Sequence, residues 1–215
     1  MALERWEIDS GHSGIHFSVQ HMMLTRVRGT FSRWSGSLVA EDGDLRHASI
    51  SILIDASSIE TGLAERDAHL KSADFLNTTN FLEMTFEGRV CEKPRAKGLR
   101  IVGELSALGG KHELKFEVEP AGRTKDPWGH ERAGFTAKGS LDRKALGLTW
   151  NQPLEAGGFL VGDRVDFEID VEAVLQDEAR NEQISASPEE ITKLRFATRN
   201  GSRPAGEFTP KGDSR

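Results

Sequence analysis

Several groups of side chains in this 215-residue sequence are of the types that do chemistry. Asp67, His69 and Ser72 are the components of a nucleophilic triad, in which a carboxylate orients an imidazole that activates a hydroxyl. Here they crowd one short helical segment, where side chains two and three positions apart cannot all converge on one reacting atom. Arg66, His69 and Asp74 are therefore expected to cap that helix or pin it against its neighbours. His12, His16 and His21 raise the question of a metal. In an extended segment His12 and His16 share a face but lie about 13 Å apart at roughly 3.3 Å per residue, too far for one ion. No metal site is expected, and His12 and Ser13 are assigned to turn hydrogen bonds. GGKHE around Lys111 lacks the upstream glycine of a phosphate loop and has His112 where Ser or Thr would meet magnesium. Cys91 has no partner in the chain and no nucleophile signature around it, so it reads as a spectator at a strand end. Asp142 and Arg143 read as an ion pair setting a turn. No catalytic residue emerges, and the chain is not expected to be an enzyme.

Composition narrows the classes further. The net charge is −6 and 37% of residues are hydrophobic. Nucleic-acid binding needs clustered Lys and Arg, whereas the one basic clump, RAKGLR, lies in a turn, so no nucleic-acid partner is expected. No run of about 18 apolar residues provides a membrane-spanning helix. MALERWEID lacks a basic stretch followed by an apolar one, which makes the expected location cytoplasmic.

The elements that would position these residues are almost all strands. Ile15, Phe17 and Val19 alternate with His16, Ser18 and Gln20, and Val27, Gly29 and Phe31 with Arg28, Thr30 and Ser32; a period of two puts each apolar set on one face. Trp34 and Leu38 fall on the opposite parity from Phe31, which predicts a bulge or a hard bend. Ile50, Ile52 and Ile54 form a further face, as do Met84 and Phe86, then Leu99, Ile101, Gly103 and Leu105, then Leu114, Phe116 and Val118, then Phe135 and Ala137. Val165, Phe167, Ile169 and Val171 make the cleanest alternation. Leu63 to Leu76 is the helical exception, with room for one or two short helices. About eight strands with one wet face each, and too few helices to cover a second face, predict an all-β fold whose sheet rolls up on itself: a closed antiparallel barrel. Gly29, Gly36, Gly103 and Gly139 sit inside these strands where tight coiling or a close approach excludes a side chain.

The composition turns polar after Gln176. Residues 1–176 are therefore expected to form the barrel and 177–215 a polar C-terminal extension, helical over 188–197, where Ser187, Pro188 and Glu190 make a good helix start, and otherwise mobile.

From Trp6 to about Leu175 the sequence resembles the YceI-like family of polyisoprenoid-binding, lipocalin-like β-barrel proteins. The likeness rests on WEIDSGHSGIHFSVQHM with RGTFSRWSG, RDAHLKSADFL with FLEMTFEG, and FTAKGSLDRKALGLTW with VGDRVDFEIDVEAVL, in that order and spacing. Lys111 stands where the family has a threonine and Leu82 where it commonly has proline, and the tail after Gln176 is no part of the family core. The resemblance implies that the extended barrel holds a long isoprenoid, an isoprenoid quinone or a similar linear lipid in a hydrophobic tunnel. Such a protein, monomeric or homodimeric, would act in lipid transport or sequestration without a cofactor of its own; members are often periplasmic. The bore would be lined by Ile15, Phe17, Val19 and Phe31; by Ile52, Ile54, Phe75, Phe81, Met84 and Phe86; and by Leu105, Leu114, Phe116, Phe135, Trp150, Phe167 and Ile169. His21 would sit at the rim, against the ligand's polar end. The competing expectation is a barrel filled by its own side chains, serving as a stress-response or protein-interaction module.

Overall fold

The computed structural model describes residues 2–92 and 98–176. The expected extension over 177–215, its helix at 188–197, and the start of RAKGLR lie outside the described residues. The strands are β1 (Leu3–Ile8), β2 (Gly14–His21), β3 (Thr25–Phe31), β4 (Trp34–Glu41), β5 (Ser49–Asp55), β6 (Ile59–Glu60), β7 (Glu83–Glu92), β8 (Leu99–Ala107), β9 (Gly110–Lys125), β10 (Glu131–Asp142) and β11 (Val161–Leu175). One helix, α1 (Ala64–Lys71), stands between β6 and β7. No helix among the described residues is long and apolar enough to cross a membrane.

Hydrogen bonding closes a ring through β1, β4, β5, β7, β8, β9, β10 and β11, with every pairing antiparallel and β11 returning to β1. The remaining three strands extend this ring instead of forming a second sheet. β11 is long enough to pair with β1 at its C-terminal end (Ile8 opposite Ala173) and with β2 along its earlier part (Val19 opposite Val165). β1 and β2 thus lie end to end along one edge of β11. In the same way β3 continues β4 and β6 continues β5, because β3 pairs with β2 and β6 with β3. The expected eight-stranded barrel is what forms, with its first three staves each broken once.

The three breaks lie side by side. Asp9–Ser13, Ser32–Arg33 and Ala56–Ser58 interrupt the staves, and Ser32 N donates to Ser58 O (3.1 Å) while Asp55 N donates to Arg33 O (3.0 Å) across them. At this seam all three staves exchange inward parity: Trp6 and Ile8 give way to Ile15 and Phe17, Trp34 meets Phe31, and Ile54 gives way to Ile59. An extra residue in a strand bends it and turns the following side chains over. The three bends therefore lie in register across neighbouring staves.

Because the staves alternate in direction, the connections sort to two ends. The β4–β5 and β9–β10 turns share the lower end with the start of β1 and the end of β11. The β2–β3 turn, the segment carrying α1, the β8–β9 turn and the long β10–β11 connection share the upper end. GGKHE belongs to the β8–β9 hairpin: Leu108 and Gly109 both have positive φ (54° and 76°), the mirror-image turn that suits a two-residue loop between twisted strands.

The lower half is packed solid. Trp6 is 0% exposed, and Leu38, Ala40, Ala48, Val90, Ala133 and Ala173 are buried with it. Small alanines leave the room that the indole fills. The Arg123 guanidinium lies 5.0 Å from the centre of the Trp6 ring, a cation–π contact across the lower opening.

Candidate binding cavity

The upper half is hollow, enclosing a cavity of about 320 Å³. All but six of its lining residues are apolar, and the polar six are Gln20, His21, Thr61, Arg66, His69 and Arg143. Each lies in or next to the connections of the upper end, so the wall is apolar in its depth and polar near the top.

The wall is held open by the way its rings lie. A side chain at Gly29 would put Cβ 2.4 Å from Phe17 Cζ, and one at Gly139 would lie 2.6 Å from Phe116 Cδ1. These glycines face the aromatic residues across the ladder: Phe17 is opposite Gly29 and Phe116 opposite Gly139. Each ring therefore folds down over the bare backbone of the next strand and hugs the wall. Gly36 receives Ile52 and Gly103 receives Phe86 in the same manner. The expectation that these four positions are needed for close approach is met by side chains of the barrel itself. Edge-to-face stacking fixes the ring positions, with Phe86 and Phe116 centroids 5.7 Å apart at 90°, and Phe116 and Phe167 6.4 Å apart at 73°.

The top is closed over by α1 and the β10–β11 connection. α1 ends at Ser72, whose N–H and hydroxyl both donate to His69 O (3.1 and 2.8 Å), so the helical stretch is one short helix that stops before Phe75. His69, Phe75 and Trp150 form an aromatic trio, with the imidazole edge-on to the indole at 4.6 Å. Trp150 is placed by Arg143, which is 2% exposed. Its Nη1 donates to Leu148 O (2.6 Å) and Trp150 O (2.8 Å), and its Nε to Gly162 O (2.9 Å). Burial pulls the pKa of this guanidinium down, only partly offset by Asp163 and Asp142. The expected Asp142–Arg143 pair is replaced. Asp142 caps the following turn by accepting from Lys144 N (2.9 Å), and the carboxylate nearest Arg143 is Asp163, with Oδ1 3.5 Å from Nη2.

The cavity wall brings together most of the residues expected on the bore. β2 supplies Ile15, Phe17, Val19 and His21; β3 Phe31; β5 Ile52 and Ile54; β7 Met84 and Phe86; and β8 Leu105. β9 supplies Leu114 and Phe116, β10 Phe135, β11 Phe167 and Ile169, and the upper segments Phe75 and Trp150. Phe81 lies elsewhere. It precedes β7 in a turn, on the opposite parity from Met84 and Phe86, and packs over Gly109 with its ring 3.4 Å from the position a Cβ there would take. Sequence reasoning left Trp34, Val165 and Val171 out of the bore list, although the two valines share the parity of Phe167. It had no periodic signal for Leu146, Leu148 and Leu160, which come from the β10–β11 connection.

The histidines separate as their spacing predicts. His12 Nδ1 hydrogen-bonds Asp9 Oδ2 (2.9 Å) at the seam, His16 is exposed, and His21 reaches the cavity. Asp9, His12 and Glu172 lie within reach of a common ion, but the Arg132 guanidinium already bridges both carboxylates and extends to Asp126 (2.9 Å). His69 Nε2 pairs with Asp74 Oδ2 (2.9 Å) as expected, whereas Arg66 turns to Thr61. Large apolar side chains remain exposed at the same end: Met22, Met23 and Leu24 in the β2–β3 turn, with Leu63, Leu82 and Phe159.

Comparison with known proteins follows the same outline. A family model described as the YceI-like domain matches residues 6–173. A UPF0312 protein of Staphylococcus epidermidis is 34% identical over 171 residues, covering 79% of this chain and 97% of its own. Among solved structures, BcnA of Burkholderia cenocepacia superposes with a TM-score of 0.64 at 15% identity, over 77% of this chain and 98% of BcnA. A polyisoprenoid binding domain from Saccharophagus degradans superposes with a TM-score of 0.55 at 13% identity, over 80% of this chain and 98% of that domain. At these identities the structural likeness is one of fold.

Proposed function

Since this chain belongs to the YceI-like domain family, we propose that it binds a linear apolar lipid, in the first instance an isoprenoid chain, in the hollow half of its barrel. It would act as a carrier or sequestering protein without catalysis. The observation that carries this reading is the wall itself: aromatic and aliphatic side chains enclose a cavity of about 320 Å³ whose polar groups gather at one end. Ligand pockets are commonly of this kind, apolar with a few placed polar groups. The isoprenoid is suggested by the Saccharophagus degradans domain of like fold.

The mechanism needs only burial. Each methylene moved from water into the cavity contributes about 0.8 kcal/mol, roughly fourfold in affinity. Catalysis would need an activated nucleophile or base at the wall. The wall carries no Ser, Cys, Lys or carboxylate, and its one hydroxyl, on Thr61, donates to Asp67 Oδ1. The test is a chain-length series of linear isoprenoids and alkanols measured by titration calorimetry, alongside solvent extraction of protein from its source. Affinity is expected to climb by about fourfold per methylene until the cavity is full. A flat series, with nothing extracted, would sink the lipid reading in favour of a protein-interaction module.

A further inference from the structure

Resting on that reading of the cavity, we propose that its upper end takes the anionic head group of the bound lipid, a carboxylate or phosphate, with Arg66 as the principal contact. Four ionisable side chains line the cavity, His21, Arg66, His69 and Arg143, and none of them is acidic. They differ in what they have left to offer. Arg143 is buried, gives its Nε and Nη1 to three backbone carbonyls and has Asp163 Oδ1 3.5 Å from the remaining Nη2, and the His69 Nε2 is engaged by Asp74.

Arg66 is half-buried, and no carboxylate pairs with it among the described residues. Its Nε donates to Thr61 Oγ1 (2.7 Å) and its Nη2 to Thr61 O (2.9 Å), which fixes the plane of the guanidinium and leaves Nη1 without a protein acceptor. Asp67, next in the chain, meets Arg66 only through Thr61: its Oδ1 accepts from Thr61 N (2.9 Å) and from the hydroxyl that in turn accepts from Arg66 Nε. A partly desolvated cation without a directly paired carboxylate is costly. A planar guanidinium held in one orientation is the group best matched to a carboxylate or phosphate. An apolar chain in the depth with its anion at Arg66 satisfies both ends of the cavity at once.

The experiment compares ligands that differ only at the head: hexadecanoic acid against hexadecan-1-ol, and farnesyl phosphate against farnesol, titrated into the full chain and its Arg66→Gln and Arg66→Lys variants. The unaltered protein is expected to favour the anionic member of at least one pair by about 10- to 100-fold, the range of a charge-assisted hydrogen bond. The pair with the larger ratio distinguishes carboxylate from phosphate. Arg66→Gln should abolish the preference while leaving the alcohols bound within about threefold, and Arg66→Lys should retain part of it. Retained alcohol binding also shows that the variants are folded. Equal affinity for charged and neutral heads in the unaltered protein, or a preference that survives Arg66→Gln, overturns the head-group assignment alone. Failure of all four ligands to bind overturns the lipid reading and this assignment with it.

Discussion

The two halves of the barrel share the same long staves and are built on opposite plans. The lower half carries the smaller side chains, alanines at 40, 48, 133 and 173, and is full; the upper half carries the phenylalanines and is hollow. Side-chain size therefore does not decide whether a small barrel is filled. What decides it is whether a large side chain crosses the axis or lies along the wall. Trp6 is fully buried among alanines and is roofed by Arg123. Phe17 and Phe116 fold down over Gly29 and Gly139. Ionic groups follow the same division. Arg132 gathers Asp9, Asp126 and Glu172 into a closed network toward the lower end, whereas the cavity wall holds cationic side chains and no carboxylate.

That contrast predicts that damage to the lower half costs stability and damage to the upper half costs binding. Trp6→Ala should have the largest effect on folding, about 3–5 kcal/mol by denaturant unfolding, and ligand affinity measured well below the unfolding transition should change little. A Trp6→Ala protein that folds normally and binds poorly would invert the comparison. Gly139→Val comes next, because its Cβ would collide with the Phe116 ring and lie 2.8 Å from Lys115 O. It is expected to cost about 1–3 kcal/mol and, by pushing the ring toward the axis, to weaken lipid binding at least tenfold. Were binding unchanged, the ring would not be what the glycine accommodates.

The ionic network should show itself through pH. The hydrogen bond from His12, with Arg132 and the Gly11 N–H, holds the Asp9 carboxyl below its usual range against the opposing effect of burial. At Asp126 burial raises the pKa, but Arg132 and the N–H groups of His130 and Trp128 outweigh it, leaving the carboxyl well below the usual range. Carboxyls lowered in the folded state add stability that is complete above about pH 4 and is lost as pH falls through the lowered values. His12 is raised, chiefly by its hydrogen bond to Asp9, so its contribution is complete below about pH 6.5 and is lost as pH rises through the raised value. Arg132 opposes the charged His12 and favours the carboxylates, so unaltered protein should melt above Arg132→Met by a margin that is widest above about pH 4 and shrinks in acid. A margin independent of pH would mean that Arg132 acts only by packing. The smallest effect belongs to Phe81→Ala, which should leave lipid affinity unchanged because the ring lies outside the cavity; a clear loss would extend the site over the β8–β9 turn.

Much of this was legible in the residues. Alternation at Val165, Phe167, Ile169 and Val171 specified an inward face, and the parity break between Phe31 and Trp34 located one of the three bends. Phe81 was put on the bore although it precedes β7, where period-two logic has no force, and stands on the opposite parity from Met84. Arg66 was read, with His69 and Asp74, as capping its helix or pinning it against its neighbours. Its choice of Thr61, and its place on the wall, depend on how the connection after β6 folds back over the barrel.

By itself the sequence determined that strands form, which face of each is apolar, and that a one-sided sheet must close on itself, because these follow from local periodicity and the cost of leaving apolar surface in water. Only the tertiary structure decided which end is solid and which hollow, that three bends align into one seam, and which cations face the cavity. Those outcomes depend on the register between strands far apart in the chain, and a side chain's own sequence neighbours do not report whether it crosses the axis or lies along the wall.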